Sequence, residues 1–169
     1  RRNGHDPVWH IITELILESA SLTVQEDTVQ KNYRRLLENY ASLRSRFDVQ
    51  GGAWVRKMDE NTLPDETNKV VWLDGRELGK NELEKKKKEI LSGLQNKIDI
   101  HTGPVISVAV IQLAEDRYYC LILLHHLVGD GFSMQHIMNT LFNFSGSSPV
   151  QFPQEDYLDL LRMYATPSF

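Results

Sequence analysis

Residues 104–131 read PVISVAVIQLAEDRYYCLILLHHLVGDG, and this stretch decides the fold class. Two apolar runs rich in β-branched residues, Pro104 to Leu113 and Arg117 to His125, are joined by Ala114-Glu115-Asp116. Such runs around a short polar joint predict a long antiparallel hairpin at the centre of a sheet, with its second strand ending at His125. After Gly131, the positions Phe132, Ile137, Met138, Leu141 and Phe142 fall at helical spacing. A strand therefore runs into a glycine-bounded polar turn and then into a helix.

The pattern extends outward on both sides. Lys80 to Gln95 reads as a helix with Leu83, Ile90, Leu91 and Leu94 on one side, preceded by a short strand at Val70 to Leu73 and a polar loop at Asp59 to Asn68. Ser45 to Val49 and Ala53 to Met58 flank Gln50-Gly51-Gly52, which predicts a hairpin. Thr23-Val24-Gln25-Glu26 fits a capping box, and Val29, Tyr33, Leu36 and Tyr40 follow on one helical face. Trp9 to Leu17 reads as the first strand. At the other end, Gly146 to Pro153 is a loop and Asp156 to Tyr164 a last helix. The sum is an α/β fold (an α+β sandwich) with a mixed, mainly antiparallel sheet and flanking helices.

Bulk properties narrow the function. At roughly 150 residues per domain, 169 residues make one domain. The 19 basic and 23 acidic residues give a net charge of −4, which argues against nucleic acid or an anionic membrane as partner. The run Lys85 to Lys88 is offset by Glu82, Glu84 and Glu89, so it reads as a solvated helix face. The apolar run Tyr118 to Leu124 is far shorter than the ~20 residues of a spanning helix. The single cysteine, Cys120, lies inside that run and reads as a small hydrophobe in a reducing, cytoplasmic compartment. The chain begins at Arg1 and not at methionine, so cleavage or missing leading residues are expected, with the true N-terminus out of view.

Reactive side chains are densest in His125-His126-Leu127-Val128-Gly129-Asp130-Gly131. By ordinary residue frequencies, such a pattern arises by chance in roughly a few chains per ten thousand of this length. An imidazole, with an unperturbed pKa of about 6.5, takes up a proton and returns it near neutral pH. Adjacent strand positions face opposite ways, so one histidine lines a cavity while the other packs inward. The two glycines permit a tight turn with unusual dihedrals, and Gly131 places backbone N–H groups at a helix start, where an oxyanion can be met. Asp130 has three roles open to it: capping that helix, pairing with an arginine, or orienting a histidine. Two plainer readings stand beside these, a metal-ligand pair or a polar turn. Neighbouring strand positions hold one ion awkwardly, and no HExxH or CxxC supplies further ligands.

The segment HHLVGDG resembles the HHxxxDG signature of the condensation domains of nonribosomal peptide synthetases, within the chloramphenicol acetyltransferase-like superfamily. Leu43-Arg44-Ser45-Arg46-Phe47 resembles that family's LRxxF segment, and Asp99 to Pro104 its D-x-x-x-GP segment, in the same order. The resemblance covers Trp9 to Leu141. It implies an acyltransferase joining a carrier-bound acyl or peptidyl thioester to an amine, with His126 as base or orienter of the amine. It implies structural roles for His125, Asp130, Gly131 and Arg44, with Asp130 paired to Arg44, or failing that to Arg46. The implied partners are peptidyl or acyl carrier proteins bearing phosphopantetheine arms, with no cofactor or metal bound directly.

Family members have two similar lobes. The chain resembles the first, residues 146–169 being a crossover toward a second, so weak or no activity is expected of it alone. Two departures bear on specificity: Asn39-Tyr40-Ala41-Ser42 lacks the histidine usual before LRxxF, and Val105-Ile106-Ser107 lacks an arginine common after the GP pair. Three alternatives stay open on the sequence: an epimerization domain, a coenzyme A-dependent O-acyltransferase of the same superfamily, and a non-catalytic module that docks carrier proteins. His101 and His136 read as a loop residue and a packed or partly exposed helix residue, and Trp9, Trp54 and Trp72 as core.

Overall fold

The computed structural model describes residues 10–18, 24–57 and 67–142. Its elements are β1 (His10–Glu18), α1 (Glu26–Asn39), a 3-10 turn (Ala41–Arg44), β2 (Arg46–Gln50), β3 (Ala53–Lys57), β4 (Val71–Asp74), α2 (Lys80–Lys97), β5 (Ile106–Ala114), β6 (Arg117–His125) and α3 (Gly131–Phe142). The main sheet has the order β1-β6-β5-β4. Three of the four strands are antiparallel neighbours, and β4 runs parallel to β5. A parallel pair needs a long crossover, and α2 supplies it.

The hairpin β5–β6 occupies the centre because helices cover both of its faces. On one side Tyr33 and Leu36 of α1 and Met134 and Met138 of α3 pack with Val108, Val110, Cys120, Ile122 and Leu124. On the other, Leu94 of α2 packs with Ala109, Ile111, Tyr119, Leu121 and Leu123, and the half-buried Leu83, Ile90 and Leu91 cover them. Burial on both faces is why these strands read as continuous apolar runs. The edge strand β1 alternates instead, with Thr13 and Leu17 buried and Ile12 and Ile16 exposed at 41% and 46%.

Polar ties fix the helices to the sheet. The buried Tyr33 hydroxyl lies 3.2 Å from both Asn68 Oδ1 and the Ile106 carbonyl, and burial pushes its phenol above the ordinary value. The Gln30 amide clamps Val70, donating to its carbonyl (2.8 Å) and accepting its N–H (3.0 Å). Asn32 Nδ2 donates to the Leu141 carbonyl, joining α1 to α3.

Several sequence expectations need correction. The capping box places a cap at Thr23, but α1 begins at Glu26 with Gln25 at the cap position and no side-chain cap bond. The carboxylates of Glu26 and Asp27 in the first turn serve the helix dipole instead. Tyr40 follows the helix and is exposed. The expected β2–β3 hairpin does form, turning through Gly51 and Gly52 at φ 60° and 82° as a two-residue loop requires, and it makes a two-stranded sheet of its own. Trp72 is half-buried against the core. Trp9, the loop at Gly146 to Pro153 and the helix at Asp156 to Tyr164 lie outside the described residues. Among those described, no helix is long and apolar enough to cross a membrane.

Candidate active site

Strand β6 delivers the two histidines to a turn. His125 is the last strand residue, 6% exposed, and its N–H donates to the Val105 carbonyl at 2.9 Å. Its carbonyl accepts from Val128 N–H (3.1 Å), and its ring Nδ1 accepts from Leu127 N–H (3.3 Å). A ring nitrogen that accepts carries no proton, so the neutral ring is protonated on Nε2. His125 is therefore built into the turn.

His126 follows in that turn, half-buried. Desolvation holds its pKa below the ordinary 6.5, so near pH 7 it is a neutral imidazole able to accept a proton. His125 is thus buried at the strand end and His126 half-buried beyond it, a difference set by the turn and not by strand alternation, since β6 stops at His125.

The end of the motif starts α3. Asp130 Oδ1 accepts from Ser133 N–H (2.9 Å) and Ser133 Oγ (3.0 Å), and its carbonyl accepts from Met134 N–H (2.9 Å), so Asp130 caps the helix. Gly131 is the first helical residue, among the positions whose amides have no intrahelical acceptor. The unusual dihedrals expected of the glycines do not occur at Gly129. What demands glycine there is space, since a Cβ would sit 2.6 Å from Leu124 Cδ2 and 3.0 Å from Ser133 Cβ.

The arginines of LRSRF are placed differently from the expected ion pair. Arg44 Nη1 donates to the carbonyls of Leu37 and Glu38, closing the C-terminus of α1. Those bonds, and the bonds of Asp130 to Ser133, are local ones in separate loops. Arg46 Nη1 donates to the carbonyls of Arg44 and Ser45, both at 3.0 Å, and its guanidinium fills the space beside Gly103.

The three motif segments form one body. Phe47 N–H donates to the Ile100 carbonyl (2.8 Å), and His101 Nδ1 lies 2.8 Å from the Phe47 carbonyl, so LRSRF and the Asp99–Pro104 turn zip together. Asp99 Oδ1 accepts the amides of His101 (2.8 Å) and Thr102 (3.0 Å). Burial opposes ionisation of this carboxyl, but those bonds outweigh it and hold its pKa below the ordinary value. The bond from His125 to Val105 then ties the turn to the histidines.

Two further histidines join α3 and β1 to this region. His136 is exposed, with Nε2 2.5 Å from the Tyr40 hydroxyl and the rings in T-shaped contact, which fastens α3 to the end of α1. His10, which sequence reasoning passed over, lies opposite His125 in the β1–β6 register. Strand pairing alone brings it here, and no local sequence signal announces it. Among the described residues no group of three or more His, Cys, Asp or Glu side chains could hold a metal ion.

A family model for the condensation domain matches residues 9–165. The chain belongs to the condensation domain family. It is 29% identical to tyrocidine synthase 2 of Brevibacillus parabrevis over 136 residues, covering 80% of this chain and 3% of that protein. It is 25% identical to gramicidin S synthase 2 of Brevibacillus brevis over 118 residues, covering 70% of this chain and 2% of that protein. This condensation domain portion thus spans only a small part of either synthase. Among solved structures it superposes on the starter condensation domain of rhizomide synthetase with a TM-score of 0.63 at 14% identity, over 94% of this chain and 40% of that one. The epimerization domain from the third module of tyrocidine synthetase B gives a TM-score of 0.61 at 21% identity, over 93% of this chain and 36% of that one. The fold is therefore that of condensation and epimerization domains, and the chain spans under half of each of these two solved examples. Within this condensation domain portion, Tyr40 lies in the segment that lacks the expected histidine, and its hydroxyl meets His136.

Proposed function

We propose that this chain is the N-terminal lobe of a condensation domain that forms amide bonds in nonribosomal peptide synthesis. The observation that carries the reading is His126, a half-buried imidazole kept neutral by desolvation within an HHxxxDG turn. In the proposed reaction, the nitrogen of an acceptor amine attacks the carbonyl carbon of a carrier-bound acyl or peptidyl thioester. His126 takes the amine proton or orients the amine. The tetrahedral intermediate collapses, the C–S bond breaks, and the carrier's thiolate leaves with the proton, giving amide and free thiol. The Gly131 backbone lies near the developing oxyanion, His125 and Asp130 keep the turn in shape, and Arg44 of the LRSRF segment closes the end of α1. No metal or directly bound cofactor takes part. The phosphopantetheine arm of a peptidyl or acyl carrier protein presents the substrate, and residues 146–169 lead toward a second lobe that encloses the site. A cytoplasmic setting goes with this reading.

The test compares wild type with His126→Ala in the complete protein that carries these residues, using loaded carrier and amine acceptor. Amide product from wild type and its loss in the variant support the reading. Turnover of acyl-coenzyme A without a carrier would overturn it in favour of the O-acyltransferase. Carrier binding without turnover in either protein would leave a docking module.

A further inference from the structure

We propose that His10 is a positioning residue of the histidine site, holding the His125 ring edge-on so that the turn carrying His126 keeps its shape. This rests on the reading of His126 as the acting side chain and adds to it a residue from the first strand. His10 opens β1 and is the direct ladder partner of His125. The two rings meet in a T, with centroids 5.7 Å apart and planes at 72°. Edge-to-face contact fixes ring orientation as well as position. The held ring is the one whose Nδ1 accepts the Leu127 amide, so rotating it breaks one of the two bonds that close the turn around His126, leaving only the backbone bond from Val128 to the His125 carbonyl.

The choice of imidazole at position 10 is informative. His10 Nδ1 is buried and has no hydrogen-bond partner among the described residues. A phenyl ring would make the same edge contact without a buried, unpaired nitrogen. Among the described residues, His10 packs on His125 of β6 and feels the charge of His126 in the turn. Burial, and then the charge of a protonated His126, hold the His10 pKa below the ordinary value. His10 therefore lies within electrostatic reach of His126, and a second proton on the cluster is disfavoured.

The test is nuclear magnetic resonance of the chain with histidine rings labelled with nitrogen-15, in wild type, His10→Ala, His10→Phe and His126→Ala. Wild type should show His125 as the single Nε2–H tautomer. His10→Ala should mix the tautomers and speed Leu127 amide exchange about tenfold or more, leaving the amides of Cys120 and Ile122 unchanged. His10→Phe keeps the edge contact and should behave like wild type in both respects. His126→Ala should raise the His10 titration midpoint.

An unchanged His125 tautomer in His10→Ala, or equal acceleration at Cys120, would overturn the proposal, the latter by showing a general loss of stability. So would loss of the tautomer in His10→Phe, or an unmoved His10 midpoint in His126→Ala. If His10→Ala does not fold, the other two variants still decide. None of these readouts needs turnover, so a failed condensation assay and a failed positioning role are told apart.

Discussion

Replacing Gly103 by alanine probes how firmly the motif segments are bound together. Gly103 adopts φ +77°, and a Cβ there would lie 2.0 Å from Arg46 Cζ and 2.3 Å from each terminal guanidinium nitrogen. The left-handed backbone alone costs a non-glycine residue roughly 1–2 kcal/mol. The clash is with the end of a flexible side chain, so Arg46 must swing away and give up its bonds to the Arg44 and Ser45 carbonyls. Hydrogen bonds from a charged donor contribute about 1.5–3 kcal/mol each. Because Arg46 is only half-buried, water recovers part of that. A total loss of about 3–5 kcal/mol follows, or a Tm lower by about 6–20 °C for a chain of this size. Urea and thermal unfolding of wild type, Gly103→Ala, Arg46→Ala and the double variant supply the cycle. In the Arg46→Ala background the glycine substitution should cost only its backbone strain, giving a coupling of about 1–3 kcal/mol. Equal losses in both backgrounds would refute the packing of Arg46 on Gly103. A loss under about 1 kcal/mol would mean that the turn leaves the left-handed region freely.

Other outcomes follow from the site and the core. In the complete protein, His126→Ala should lower product formation by roughly 10²–10⁴-fold, the usual contribution of a general base, while carrier binding measured by calorimetry stays as it was. Because burial depresses the pKa of both His10 and His126, the unfolded chain binds more protons than the folded one once pH drops below the ordinary histidine value of about 6.5. Stability should therefore be fully present above about pH 7 and decline as pH falls through that value, read as a lower urea midpoint at pH 5.5, and replacing both histidines by phenylalanine should flatten the slope. Cys120 is fully buried and its thiol is pushed up to about 12, so a disulfide reagent should leave the native protein unlabelled and modify it only in denaturant.

Much of this architecture is written in local periodicity. The hairpin around Glu115-Asp116, the helix from Lys80 and the Gly51-Gly52 turn were legible because apolar spacing and turn chemistry act over a few residues. HHLVGDG was legible as a site for the same reason: its residue types and spacing lie in one short stretch. The start of α1 was misread because Thr23 and Glu26 satisfy the pattern of a capping box while the chain enters the helix two residues later. The roles of Arg44, Arg46 and Asp130 were less legible still, since a charged side chain reports its capacity to pair and not its partner.

The sequence by itself therefore determined most element types, the central hairpin, the family and the place of the HHLVGDG segment at a strand end, all carried by short-range spacing. Only the tertiary structure decided that β1 lies beside β6 with His10 facing His125, that β4 runs parallel to β5, and that the LRSRF and Asp99–Pro104 segments close on each other. Those pairings join residues far apart in the chain. They are chosen by which apolar faces can be buried together, a competition among whole elements that no local pattern records.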